Sequence, residues 1–100
     1  MSTTVIDHSI VHELANLAKK YDLQQLFLFG SRARGDCWEK SDIDIAAYFK
    51  SSREHLDFCE DVENIRTLLL FDVVNLSSDM IDLNLRDNIE KEGVLLYEKV

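Results

Sequence analysis

The apolar run Leu26 to Phe29 stops at Gly30-Ser31, and ten residues further on Asp42 and Asp44 break into a second apolar stretch, alternating with Ile43, Ile45, Ala47 and Phe49. A two-residue period is that of a strand, whose successive side chains take opposite faces. One face of this segment is therefore core. The other opens with two carboxylates only about 6 to 7 Å apart along the chain. Burying either without a neutralising partner is costly. A chain carrying this pattern builds a strand with one apolar face and one face that begins acidic; a divalent cation would remove the repulsion there, and a solvated strand end is the plain alternative for a D-x-D taken alone.

The remaining pattern supplies the layers around such a strand. Ile10, Val11, Leu14, Leu17, Ala18 and Tyr21 recur at three-and-four spacing, which predicts an amphipathic helix over His8 to Tyr21 with Asp7 as its cap. Leu26 to Phe29 is a short buried strand. Phe58, Val62, Ile65 and Leu69 mark a second helix, and Phe71 to Leu76 a third strand. Ser77, Ser78 and Asp79 offer caps for a helix through Ile81, Leu85 and Ile89 that Gly93 stops, and Val94 to Tyr97 forms a last strand. Helices and strands in alternation predict an α/β (α+β) domain with helices packed on a small mixed sheet. At 100 residues the expectation is a single domain, 1–100.

Charge narrows the partners. Nineteen acidic against eleven basic residues give a net charge of -8, which repels a phosphate backbone over most of the surface, so direct nucleic-acid binding is not expected. Arg32 and Arg34, just after Gly30-Ser31, are the local exception and suggest a small anion site. Apolar runs fall short of the about 18 to 20 residues that cross a bilayer, and the N-terminus lacks the basic and apolar regions of a secretory signal, so a cytoplasmic protein without a membrane partner is expected. Cys37 and Cys59 lack C-x-x-C spacing and are expected as free thiols.

The acidic pair and the Gly-Ser corner complement one another chemically. Mg²⁺ prefers carboxylate oxygen, keeps several waters and is commonly completed by substrate phosphates. Gly30 lets phosphate oxygens approach the backbone, while Ser31 can donate its hydroxyl and open a helical turn whose N–H groups face an anion. A Walker A loop is excluded, because Asp36 and Cys37 stand where Lys and Ser/Thr are required. An EF-hand fails as well, with Ala46 and Ala47 in place of the loop's further ligand and glycine. His8 and His12 share a helical face without a third ligand and are read as surface histidines. Glu54, Asp57, Glu60, Asp61 and Glu63 are read as the wet side of their helix. Trp38 either packs locally or borders the nucleotide.

Gly30-Ser31, ten residues, then Asp42-Ile43-Asp44 matches the G-S-x10-D-x-D signature of the DNA polymerase β-like nucleotidyltransferases, and the whole stretch GSRARGDCWEKSDIDIAAYF closely resembles their minimal nucleotidyltransferase members. The resemblance covers nearly the whole chain. It implies that fold, a third carboxylate at Asp72, two Mg²⁺ ions held by Asp42, Asp44 and Asp72, and ATP as donor, its phosphates cradled by Gly30, Ser31 and Arg32. It further implies an antitoxin that transfers AMP to a tyrosine of a HEPN-domain toxin, in a hetero-oligomer with that toxin or as a homo-oligomer. Two other readings use the same fold. One is a small-molecule nucleotidyltransferase of the aminoglycoside-modifying kind, which normally carries an additional helical domain. The other is a non-catalytic module that neutralises a toxin by masking it, against which the intact Asp42, Asp44 and Asp72 argue.

Overall fold

The computed structural model describes residues 7–35, 42–65, 67 and 69–100. Along the chain run α1 (His8–Lys20), β1 (Gln25–Phe29), α2 (Ser31–Arg34), β2 (Ile43–Ala47), α3 (Ser52–Glu63), β3 (Phe71–Asn75), α4 (Leu83–Glu92) and β4 (Val94–Glu98). The strands form one mixed sheet in the order β3-β2-β1-β4. β1 is antiparallel to both β2 and β4, whereas β2 and β3 are parallel. A parallel pair needs a crossover, and α3 is that crossover.

Alternation sorts the sheet into two faces. Leu26, Leu28, Ile43, Ile45 and Ala47 point to the larger core, where Ile10, Leu14 and Ala18 of α1 meet Phe58 and Val62 of α3. Phe27 and Ala46 point the other way and pack with Leu76 and with Ile89 of α4. Among the described residues, α4 is the helix packed on this second face, and no described helix covers its β2–β3 end around Asp42, Asp44 and Asp72.

Local chemistry explains most element boundaries. Asp7 caps α1 as expected, its Oδ1 accepting the Ser9 N–H at 3.0 Å, and Ser51 caps α3 by accepting the Glu54 N–H at 3.1 Å. α3 ends at Glu63, and Ile65 still packs into the larger core beyond it. The start of α4 corrects the expectation from Ser77, Ser78 and Asp79. Asn75 Oδ1 accepts the Ser77 N–H and Ser78 Oγ accepts the Met80 N–H, so these side chains close local turns instead of a helix. Asp82 is the cap, its Oδ1 accepting from the Asn84 and Leu85 N–H groups. Gly93 does end α4, in an extended conformation (φ -65°, ψ 151°) that leads straight into β4. A Cβ there would collide with the Ile89 carbonyl oxygen and lie 3.3 Å from that of Leu28.

Cys59 is a free thiol on α3. Cys37 and Trp38, with the return loop expected before β2, lie outside the described residues. Among the described residues no helix is long and apolar enough to cross a membrane.

Candidate active site

β1 delivers the chain to the site and β2 answers it. Phe29 stands opposite Asp44 in the antiparallel register, so Gly30, the next residue, lies beside the Asp44 side chain. Gly30 has φ 76° and ψ -155°, a region that is essentially glycine-only. A Cβ built on it would sit 2.5 Å from Asp44 Oδ2. Backbone and carboxylate thus form a cradle that a single methyl group would fill. After Gly30 the chain turns into α2, whose first helical bonds run from the Arg34 N–H to the Gly30 carbonyl and from the Gly35 N–H to the Ser31 carbonyl. The N–H groups of Ser31, Arg32 and Ala33 precede those bonds.

The parallel register of β2 and β3 sets Asp44 directly beside Asp72. Partners in register share a face, on strands about 4.8 Å apart. Asp42 immediately precedes β2, where the Ile43 N–H donates to the Leu70 carbonyl at 2.9 Å, and it is exposed. The electrostatics report the same convergence. Burial first, then the charges of Asp72 and Asp42, push the Asp44 carboxyl above the ordinary carboxylate value, and Arg34 opposes them. Among the described residues no three His, Cys, Asp or Glu side chains make a ready-made metal cluster. A pair of strand-mounted carboxylates with room beside them is the donor set Mg²⁺ takes when substrate phosphates and water complete its shell. The fit to such an ion rests on the oxygen chemistry of Asp44 and Asp72 and on the space that Gly30 leaves open.

The two arginines separate. Arg32 is only 5% exposed, whereas Arg34 is exposed and its charge reaches Asp44. Residues two apart on a helix point to different sides, so the two side chains leave α2 in different directions. Arg34 instead lines a cleft of about 250 Å³ between α2 and α4, together with Phe29, Gly30, Leu85, Asn88 and Glu92. Helical periodicity marks Leu85 and Ile89 as the inner stripe of α4. Asn88 and Glu92 fall on that stripe at i+3 and i+7 from Leu85, where a stripe that only packed on the sheet would be apolar.

Residues 12–100 match the family described as "Polymerase beta, Nucleotidyltransferase". The chain belongs to this family. Two proteins of Methanocaldococcus jannaschii, both provisionally named protein adenylyltransferases, are similar to this nucleotidyltransferase-family chain. One is 34% identical over 68 residues, covering 68% of this chain and 73% of its own length. The other is 40% identical over 53 residues, covering 53% of this chain, and the match spans about half of its own length, 54%. Among solved structures, a toxin–antitoxin crystal structure with AMP-PNP superposes with a TM-score of 0.71 at 22% identity, covering 89% of this chain and 73% of that one. At that identity the likeness is one of fold.

Proposed function

We propose that this nucleotidyltransferase-family domain transfers AMP from Mg-ATP to a tyrosine hydroxyl of a partner protein, a HEPN-domain toxin for which it serves as antitoxin. The observation that carries the chemistry is the Gly30–Asp44–Asp72 corner: an open backbone cradle against one carboxylate, with a second carboxylate beside it in strand register. Support for a protein acceptor comes from the names of the M. jannaschii relatives. Support for the toxin–antitoxin setting comes from the superposed AMP-PNP complex and from the acidic surface, which complements a basic partner.

In the transfer, the acceptor oxygen bonds to the α-phosphorus, the bond from that phosphorus to the bridging oxygen breaks, and pyrophosphate leaves. Divalent ions, when bound, stabilise the charge on the attacking and leaving oxygens. Asp42 and Asp44 would hold them against the phosphates. Asp72, exposed beside Asp44, would orient the acceptor and take its proton. Gly30 and Ser31 would admit the phosphate tail, with Arg34 on its flank. Apart from that proton transfer, the chain's contribution is positioning and electrostatics.

The test uses α-labelled ATP, Mg²⁺, the purified chain and the product of the adjacent reading frame. Label should appear on a tyrosine of that product, and Asp44→Asn or Asp72→Asn should lower incorporation by at least about a hundredfold. Undiminished labelling in both variants would overturn the site assignment.

A further inference from the structure

The cleft between α2 and α4 adjoins the Gly30 cradle but lies on the β1 side of it, away from Asp44 and Asp72. Its composition is mixed in an informative way. Phe29, Ala33, Leu85 and Ile89 give it apolar walls, and Asn88 and Glu92 stand on the same α4 stripe. Neither Asn88 nor Glu92 hydrogen-bonds through its side chain to any described residue. A stripe that served only to pack α4 on the sheet would be apolar at these places.

At about 250 Å³ the cleft is smaller than the roughly 300–1,000 Å³ of pockets that enclose a whole drug-sized ligand, so it suits one flat fragment of a nucleotide. Arg34, which also lines the cleft, can meet the phosphate tail beside Gly30, but on the α4 side the Glu92 carboxylate repels polyphosphate and the apolar walls do nothing for it. A nucleobase gains from both. We propose that this cleft receives the base of the bound nucleotide and that Asn88 and Glu92 select adenine. The inference rests on reading the Gly30–Asp44–Asp72 corner as a nucleotide site.

The selection follows from donors and acceptors. An amide pairs in two bonds with the N6 amine and N7 of adenine, its oxygen accepting and its NH₂ donating. A carboxylate accepts only, so Glu92 takes a hydrogen bond from an exocyclic amine and opposes the O6 oxygen that guanine presents at the equivalent place. The apolar faces of the ring lie between Leu85 and Ile89 on one side and Ala33 and Phe29 on the other.

Calorimetric titration of the full chain with a non-hydrolysable ATP analogue, the matching GTP analogue and inorganic tripolyphosphate, all with Mg²⁺, tests this. The native chain should prefer the adenine nucleotide. Asn88→Ala and Glu92→Gln should each narrow the adenine-to-guanine preference by roughly five- to a hundredfold, with tripolyphosphate binding unchanged. Both side chains are exposed, so the variants should keep the native circular dichroism. A preference unchanged in both variants, a native chain that binds the two analogues alike, or a loss shared equally by tripolyphosphate would overturn the base slot while leaving the corner's role intact. A native chain that binds neither analogue would overturn both.

Discussion

At Gly30 two independent demands select the same residue. Its backbone angles belong to a region that costs other residues about 1–3 kcal/mol, and the space where a Cβ would stand is held by Asp44 Oδ2. Gly30→Ala should therefore destabilise the fold by about that amount and displace the Asp44 carboxylate, so that chemical denaturation and nucleotide affinity fall together. Asp44 behaves in the opposite sense. Folding raises its pKa above the ordinary 3.8, so the stability tied to its proton is fully present below that value and is lost as the pH rises through the raised one. At neutral pH the ionised carboxylate is a burden on the folded chain. Asp44→Asn should melt no lower than the native protein at pH 7, with the difference shrinking toward pH 4, while transfer is lost. A variant both inactive and strongly destabilised would instead mark Asp44 as structural.

Among the elements, α4 carries the clearest consequence. Its first turn depends on Asp82, which satisfies two N–H groups, and Asp82→Ala should cost about 1 kcal/mol. In a domain of this size that lowers the melting temperature by roughly 4–8 °C. α1 and α3 are joined differently, by Asp61, which accepts from Lys20 Nζ at 2.8 Å and from the Tyr21 hydroxyl at 2.5 Å. That hydrogen bond, with burial and the Asp61 charge behind it, pushes Tyr21 up to about 12 from 10.0. Stability from the bond is present below pH 10 and lost as the pH climbs from there toward 12, and Tyr21→Phe should abolish that alkaline transition in a pH series of melts. These elements also show what a sequence can and cannot disclose. The strand around Asp44 was legible because a period of two cannot be mistaken when carboxylates alternate with isoleucine, and the strand of Asp72 because Phe71 to Leu76 is a short, mainly apolar run. Asp42 and Asp44 stood out with their strand, whereas Asp72 was reached only through the family resemblance. The onset of α4 was not, since Asn75 and Ser78 spend their side chains on turns, a competition between local hydrogen bonds that spacing does not rank. Nor could spacing say that Arg32 turns inward and Arg34 outward, because that depends on how α2 packs on the sheet.

Across the whole molecule the two faces of the sheet divide the labour. One is sealed by α1 and α3 and holds most of the apolar core. The other has α4 and a smaller cluster, and among the described residues no helix lies over the acidic end of β2 and β3. A fold built this way carries like charge at Asp44 that Arg34 only partly offsets, on top of a net charge of -8. Ligand binding should consequently be visible as folding stability. Mg²⁺ and an ATP analogue at about a hundred times their dissociation constant should add about 2.7 kcal/mol, a rise of ten degrees or more in the melting temperature. Each alone should add much less, because the carboxylates need the metal to accept phosphate and the metal needs phosphate to complete its shell. In Asp44→Asn the joint increment should shrink toward that of the nucleotide alone. An equal shift with and without Mg²⁺ would mean that the nucleotide is held by the α2 side only and that the β2–β3 carboxylates take no part in binding it.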